Sequence, residues 1–150
     1  MGLERDSPLL VGLTDEDAAD LIGIGEPRSY GAGHLVVEEG TSSDCLFILE
    51  EGAVRVEKQD GGNPVLLAVL NQPGDFFGEM SLIDILPRSA DIRAECDSRV
   101  LAFPKKELTT FFTRSPRVQM TMILNISRSL SLRLREADER ILQLARGGQK

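Results

Sequence analysis

The stretch "FFGEMSLIDILPRSADIRA", residues 76–94, sets Glu79 and Arg88 nine positions apart among apolar and small side chains. Removing either charge from water is costly, so each needs a partner. Glu79 and Arg88 either pair with each other across a loop, the usual structural solution for buried charge, or both hold a ligand. The residues between and beside them favour a ligand. Gly78 permits close backbone approach, and Gly78-Glu79-Met80-Ser81-Leu82 suits a short helical turn with outward N–H groups. Pro87 fixes the chain before Arg88, while Ser89 and Ala90 add a hydroxyl and an unobstructed amide. A forked cation with backbone donors makes a nest for one phosphate. A carboxylate close by then has to accept from a neutral hydroxyl, because an acid facing bare phosphate would repel it. A phosphate fused to a sugar that keeps one free hydroxyl meets both demands.

Around this stretch the chain changes texture twice. Residues 1–8 carry mixed charge, a serine and a proline and are expected to be loose. In LLVGLTDEDAADLIGIG, Thr14 with Asp17 forms a capping-box-like start, and the spacing predicts a short helix ending near Gly23 or Gly25. From Tyr30 to Phe103 brief β-rich runs alternate with turn residues: HLVVEEG, CLFILEEG, AVRVEKQDGGN, PVLLAVLNQPGD, ADIRAE and SRVLAF. Asp60-Gly61-Gly62-Asn63 is a hairpin turn signal. Short strands at such spacing predict an antiparallel sandwich or barrel.

After Phe103 the pattern becomes helical. KKELTTFF suggests a short helix, and Ser115-Pro116 opens a second one with no further proline or glycine before Gly147. Within it Ile123, Ile126, Leu130, Leu134, Ala137, Ile141 and Leu144 approximate a heptad seam. A helix of about 30 residues is roughly 45 Å long, more than a small domain can bury along its length. The surplus calls for another surface, and a second copy of the chain is the expected occupant.

The 150 residues, 41% of them hydrophobic, suffice for one domain with a real core and an appendage. Lys and Arg number 17 against 24 Asp and Glu, a formal charge of −7, which disfavours long-range attraction to nucleic acid or an anionic membrane. The N-terminus lacks an apolar signal region, and Cys45 and Cys96 lack metal-ligand spacing, so a cytoplasmic protein without membrane contact is expected. Both cysteines are read as buried packing thiols.

At residues 77–82 and 87–94 the chain resembles the cyclic nucleotide-binding domain family, which includes catabolite activator proteins and regulatory subunits of cAMP-dependent protein kinase. The family cassette, approximately F-G-E-L-[AGS]-L followed by P-R-[ST]-A-x-[VI]-x-A, stands here as Phe77-Gly78-Glu79-Met80-Ser81-Leu82 and Pro87-Arg88-Ser89-Ala90-Asp91-Ile92-Arg93-Ala94. The resemblance extends to Glu39-Gly40, Leu46-Phe47-Ile48, Gly52-Ala53-Val54 and Pro73-Gly74-Asp75-Phe76. It implies an eight-stranded β-roll with an N-terminal helix over residues 1–115, and a long C-terminal lid and dimerisation helix over 116–146. It further implies that Arg88 meets the cyclic phosphate, that Glu79 meets the ribose hydroxyl, and that Ser89 and the amides of Ser89 and Ala90 complete the phosphate contacts. Gly78 and Met80 would line the sugar with Ser81 in the same turn. Leu67 would face the base, and Arg133 and Leu134 on the terminal helix would cap it. Serine at position 89 leans the ligand toward cAMP rather than cGMP.

Other classes fit less well. A metal enzyme on a similar β-roll needs converging ligands, whereas the single histidine, His34, follows a glycine-rich turn and reads as a surface residue. No cofactor, metal or catalytic residue is therefore expected, and the protein is read as non-enzymatic. A truncated transcription regulator of the catabolite activator type is one alternative, but the chain ends at Lys150 without room for a helix-turn-helix. The arginines of the terminal helix, Arg133 and Arg140 among them, read as a solvated face flanking the seam, with Glu136 and Arg140 at i, i+4 spacing. A ligand-free dimerisation or docking module is the other alternative. In the sensor reading, a separate effector protein receives the signal.

Overall fold

The computed structural model describes residues 7–40, 45–78 and 90–147. Among them eight strands form: β1 Glu26–Tyr30, β2 Leu35–Val37, β3 Cys45–Glu51, β4 Val54–Asp60, β5 Asn63–Leu70, β6 Phe76–Phe77, β7 Asp91–Ala94 and β8 Ser98–Pro104. Three α-helices accompany them: α1 Asp15–Gly23, α2 Lys105–Arg114 and α3 Pro116–Gly147. The strands make two antiparallel four-stranded sheets, one ordered β1-β8-β3-β6 and the other β2-β7-β4-β5. This is the β-roll with a short leading helix and a long trailing one that the sequence led us to expect.

Local chemistry accounts for several boundaries. The Thr14 side chain accepts from the Asp17 amide at 3.1 Å and caps α1, whose first turn holds Asp15, Glu16 and Asp17 against the positive end of the helix dipole. Gly61 and Gly62 both adopt positive φ, 60° and 88°, so Asp60 pairs directly with Asn63 across a two-residue hairpin turn. Between α2 and α3 the chain breaks at Ser115, and Pro116 starts the next helix where its missing N–H costs nothing.

Two strands escaped the pattern reading. β1, EPRSY, contains Pro27 and shows no apolar alternation because it is an edge strand paired only with β8. β6 is two residues long, too short to carry a period.

The first sheet is covered on both faces. Cys45, Phe47, Leu49, Val100, Ala102 and Phe77 point between the sheets, where Phe47 and Phe77 stack with ring centroids 4.9 Å apart. Leu46, Ile48, Leu101, Phe103 and Phe76 point the other way and pack with Leu9, Leu10, Leu21, Leu108, Phe112, Val118, Met122 and Ile126 from the helical layer. Double coverage explains why β3 reads as a continuous apolar run rather than an alternating one.

Three expectations need correction. Residues 7 and 8 belong to the fold: Ser7 is fully buried, accepts from the Leu9 amide, and donates to the Gly74 carbonyl, opening a 3-10 turn over Pro8–Leu10. Cys45 is buried in β3, but Cys96 is exposed in the turn after β7, where no layer covers it. Ile126 does not join an external seam, since it is wholly buried against the roll, and Leu130 packs partly on the same cluster. The proximal part of α3 spends those positions on the domain's own core, leaving Ile123, Leu134, Ile141 and Leu144 exposed.

Candidate functional site

The two ends of the cassette stretch are anchored on different sheets. At its start, Leu49 donates to the Asp75 carbonyl at 2.7 Å and the Gly74 amide donates to the Leu49 carbonyl at 2.8 Å. Asp75 also accepts from the Gln72 amide at 3.1 Å, which closes the preceding turn. β6 then pairs Phe76 with Ile48 and Phe77 with Phe47 along the edge of the first sheet. Gly78 follows with φ at 77°, a left-handed conformation that disfavours any side chain there. The sequence reading asked Gly78 for close backbone approach; the positive φ is a second reason for glycine at this position.

At the other end, half-buried Ala90 leads into β7, which lies inside the second sheet between β2 and β4. The buried Asp91 accepts from the Glu39 amide at 2.6 Å and from Gln59 Nε2 at 3.2 Å. Arg93 Nε meets Glu57 at 3.2 Å, and Arg93 Nη1 donates to the Gly33 carbonyl at 2.6 Å. Arg55 and Arg93 stand directly opposite each other, and the buried Glu57 carboxylate between them offsets their repulsion. Asp91 and Arg93, within the family-like motif, thus act as struts that hold the second end of the cassette. Sequence reasoning assigned them no role, because a strut and a ligand contact look alike in a motif.

Glu79, Met80, Ser81, Arg88 and Ser89 lie outside the described residues. Of the remaining candidates, Leu67 sits in β5 at the edge of the second sheet. Ladder pairing passes from Val56 with Ala68 to Glu57 with Leu66, so Leu67 is the extra residue of a β-bulge. Bulges re-aim a side chain and leave a residue without a cross-strand partner, which suits a position meant to contact something outside the sheet.

The terminal helix reaches both edges. Arg133 is half-buried, its Nη2 donates to the Phe76 carbonyl at 3.1 Å, and its guanidinium lies 5.4 Å from the centroid of the Phe76 ring. Arg140 Nη1 donates to the Leu67 carbonyl at 3.3 Å. These two arginines therefore do not belong wholly to a solvated face. Leu134 is 63% exposed. Consecutive helix positions lie about 100° apart, so Leu134 points away from the face that carries Arg133. The structure thus sets Arg133 against Phe76, at the start of the cassette stretch, and Arg140 against Leu67, while Leu134 stays exposed. A signal for Arg140 was present in the sequence: Ile126, Arg133 and Arg140 recur every seven residues and share one face.

His34 is exposed, with Nδ1 3.1 Å from the Gly31 carbonyl, as expected of a turn residue. Among the described residues no helix is long and apolar enough to cross a membrane.

The described residues thus form two antiparallel sheets, with the terminal helix in contact with the outer strand of each, β6 through Arg133 and β5 through Arg140. The family model for the cyclic nucleotide-binding domain matches residues 27–115, and the chain belongs to that family. It is 34% identical over 135 residues to the Cyclic AMP receptor protein of Thermus thermophilus, covering 89% of this chain and 60% of that protein. It is 35% identical over 136 residues to Glutaminase 1 of Bradyrhizobium diazoefficiens, covering 91% of this chain but 21% of that protein. The chain therefore spans from about a fifth to three fifths of these two relatives. In fold it is similar to a cyclic nucleotide-binding domain from Methylobacillus flagellatus, with a TM-score of 0.82, 23% identity, and coverage of 94% of this chain and 79% of that one.

Proposed function

We propose that the protein is a non-enzymatic cytoplasmic sensor of a cyclic nucleotide, with cAMP as the preferred ligand, that couples binding to the position of α3. The observation that carries this reading is the pairing of a family cassette with cassette ends anchored on opposite sheets, one at Gly78 and one at Ala90. In it Arg88 and the amides of Ser89 and Ala90 hold the cyclic phosphate, Glu79 holds the ribose hydroxyl, and Gly78, Met80 and Ser81 shape the sugar site. Leu67 faces the base, and Arg133 rather than Leu134 is the helix residue nearest the opening. The preference for cAMP rests on Ser89 and on the similarity to a protein named for cyclic AMP.

Signalling then follows from population shift: a ligand touching both the cassette and α3 favours the arrangement in which the helix lies over the opening. An effector that reads the helix position receives the signal. The exposed apolar side chains Ile123, Leu134, Ile141 and Leu144 support a homodimer through residues 116–146. A chain ended after Leu130 should sediment as a monomer with the roll still folded, and an unchanged dimer would refute that role for the helix.

Calorimetric titration with cAMP and cGMP tests the sensor itself. Binding at micromolar or tighter concentration with a preference for cAMP is expected. Arg88→Ala should weaken it by about 2–5 kcal/mol, the usual cost of truncating one partner of a buried charge pair. Silence with both nucleotides, or a loss of less than about tenfold in the variant, would sink the assignment.

A further inference from the structure

The two halves of α3 are held by different forces. Val118, Met122, Asn125 and Ile126 are buried in the proximal half, where Asn125 Nδ2 also donates to the Leu9 and Val11 carbonyls at 2.7 and 2.8 Å. Beyond Leu130 no described residue of the helix is buried, and its apolar side chains there are exposed. The face that bears Met122 and Ile126 continues into Arg133 and Arg140, so apolar contact gives way to guanidinium contact along one stripe.

Each guanidinium takes a backbone carbonyl, and the two carbonyls belong to different sheets. Arg133 takes Phe76 on β6, the edge of the first sheet, and Arg140 takes Leu67 on β5, the edge of the second. Edge strands present carbonyls that no neighbouring strand satisfies, and Leu67 in addition lacks a cross-strand partner because of the bulge. We propose that Arg133 and Arg140 are positioning residues, a two-point clasp that holds the distal half of α3 across the opening between the sheets. The inference rests on the sensor reading for its purpose, since the clasp grips the strand that bears Leu67 and the strand that leads into the cassette.

The chemistry suits a reversible closure. A charge-assisted bond from arginine to a carbonyl is directional and stronger than a neutral one, but at a partly exposed site it competes with water. No described helix residue beyond Leu130 is buried, so the core surface that its release uncovers is the Phe76 ring beneath Arg133, and the distal helix can leave without unfolding the roll. Arginine is also specific here, because its planar group both donates to the Phe76 carbonyl and lies over the Phe76 ring, which an ammonium matches poorly.

Hydrogen exchange of the full-length, nucleotide-free protein tests the clasp, with cAMP dissociation rate as the second readout and oligomeric state matched by sedimentation. In Arg133→Ala/Arg140→Ala, amides in 131–147 should exchange about tenfold faster while β3 and β8 keep their protection. Bound cAMP should leave about tenfold faster. Arg140→Lys, which retains one reachable donor, should recover part of the loss in the single Arg140→Ala variant. Unchanged distal exchange and unchanged dissociation in the double variant would overturn the clasp and leave the sensor standing. Faster distal exchange in a protein that binds neither cAMP nor cGMP would instead uphold the clasp and sink the sensor.

Discussion

β3 and β5 are almost equally apolar, CLFILEE against NPVLLAVL, yet the fold treats them in opposite ways. β3 lies between β8 and β6 with both faces covered, and Ile48 is fully buried. β5 lies at the edge of the other sheet, where Leu66 and Leu67 remain 44% and 43% exposed. Full burial of such a side chain is worth roughly 1.5–3 kcal/mol, so β5 forgoes stabilisation that β3 collects. An apolar edge strand left this exposed, with a bulge at Leu67, is a candidate surface for contact with something else. In the sensor reading proposed above, the difference separates residues that build the roll from residues left free to meet a ligand.

The largest test of that difference is Ile48→Ala in β3. It should cost about 2–5 kcal/mol in denaturant unfolding, as cavity-forming core substitutions do, whereas Leu66→Ala in β5 should stay within about 0.5 kcal/mol. Equal losses would erase the distinction between the strands.

A smaller effect sharpens the account of how β3 is covered. Asn125→Leu keeps the bulk but leaves the Leu9 and Val11 carbonyls without the donor they share, and should cost about 1–3 kcal/mol. Increased exchange in residues 9–13 should accompany it, because that segment roofs the helical side of β3. An unaffected segment would show that apolar packing alone holds the roof.

The smallest expected stability change comes from Leu67→Ala, within about 0.5 kcal/mol, while cAMP affinity should fall by about tenfold through lost apolar contact with the base. A stability loss like that of Ile48→Ala would make Leu67 a core residue. Unaltered affinity would remove it from the ligand site.

Legibility in the sequence followed the range of the interaction. The cap at Thr14, the turn at Gly61-Gly62 and the break at Ser115-Pro116 each depend on a few adjacent residues, and each appears where the pattern indicates. β1 was missed because its pairing with β8 joins residues about seventy positions apart, from Glu26 with Ala102 to Tyr30 with Ser98, and leaves no local trace in EPRSY. The seam on α3 was legible as a heptad but not divisible. Nothing local to Ile126 or Ile141 says that one meets Leu9 and Leu10 while the other meets solvent. For the candidate site, the motif marked the cassette and its Gly78, while the left-handed conformation of that glycine and the strut roles of Asp91 and Arg93 required the folded backbone and the strands that flank β7.

By itself the sequence determined the kind of fold, the position of the cassette and the presence of a helix too long for its domain, because periodicity, turn chemistry and motif spacing are written in neighbouring residues. Tertiary structure alone decided which apolar strand is core and which is open edge, and which arginines of α3 meet the roll. Those outcomes depend on long-range pairing and coverage, and a solvent-facing side chain and a packed one have the same letter until the chain has folded around them.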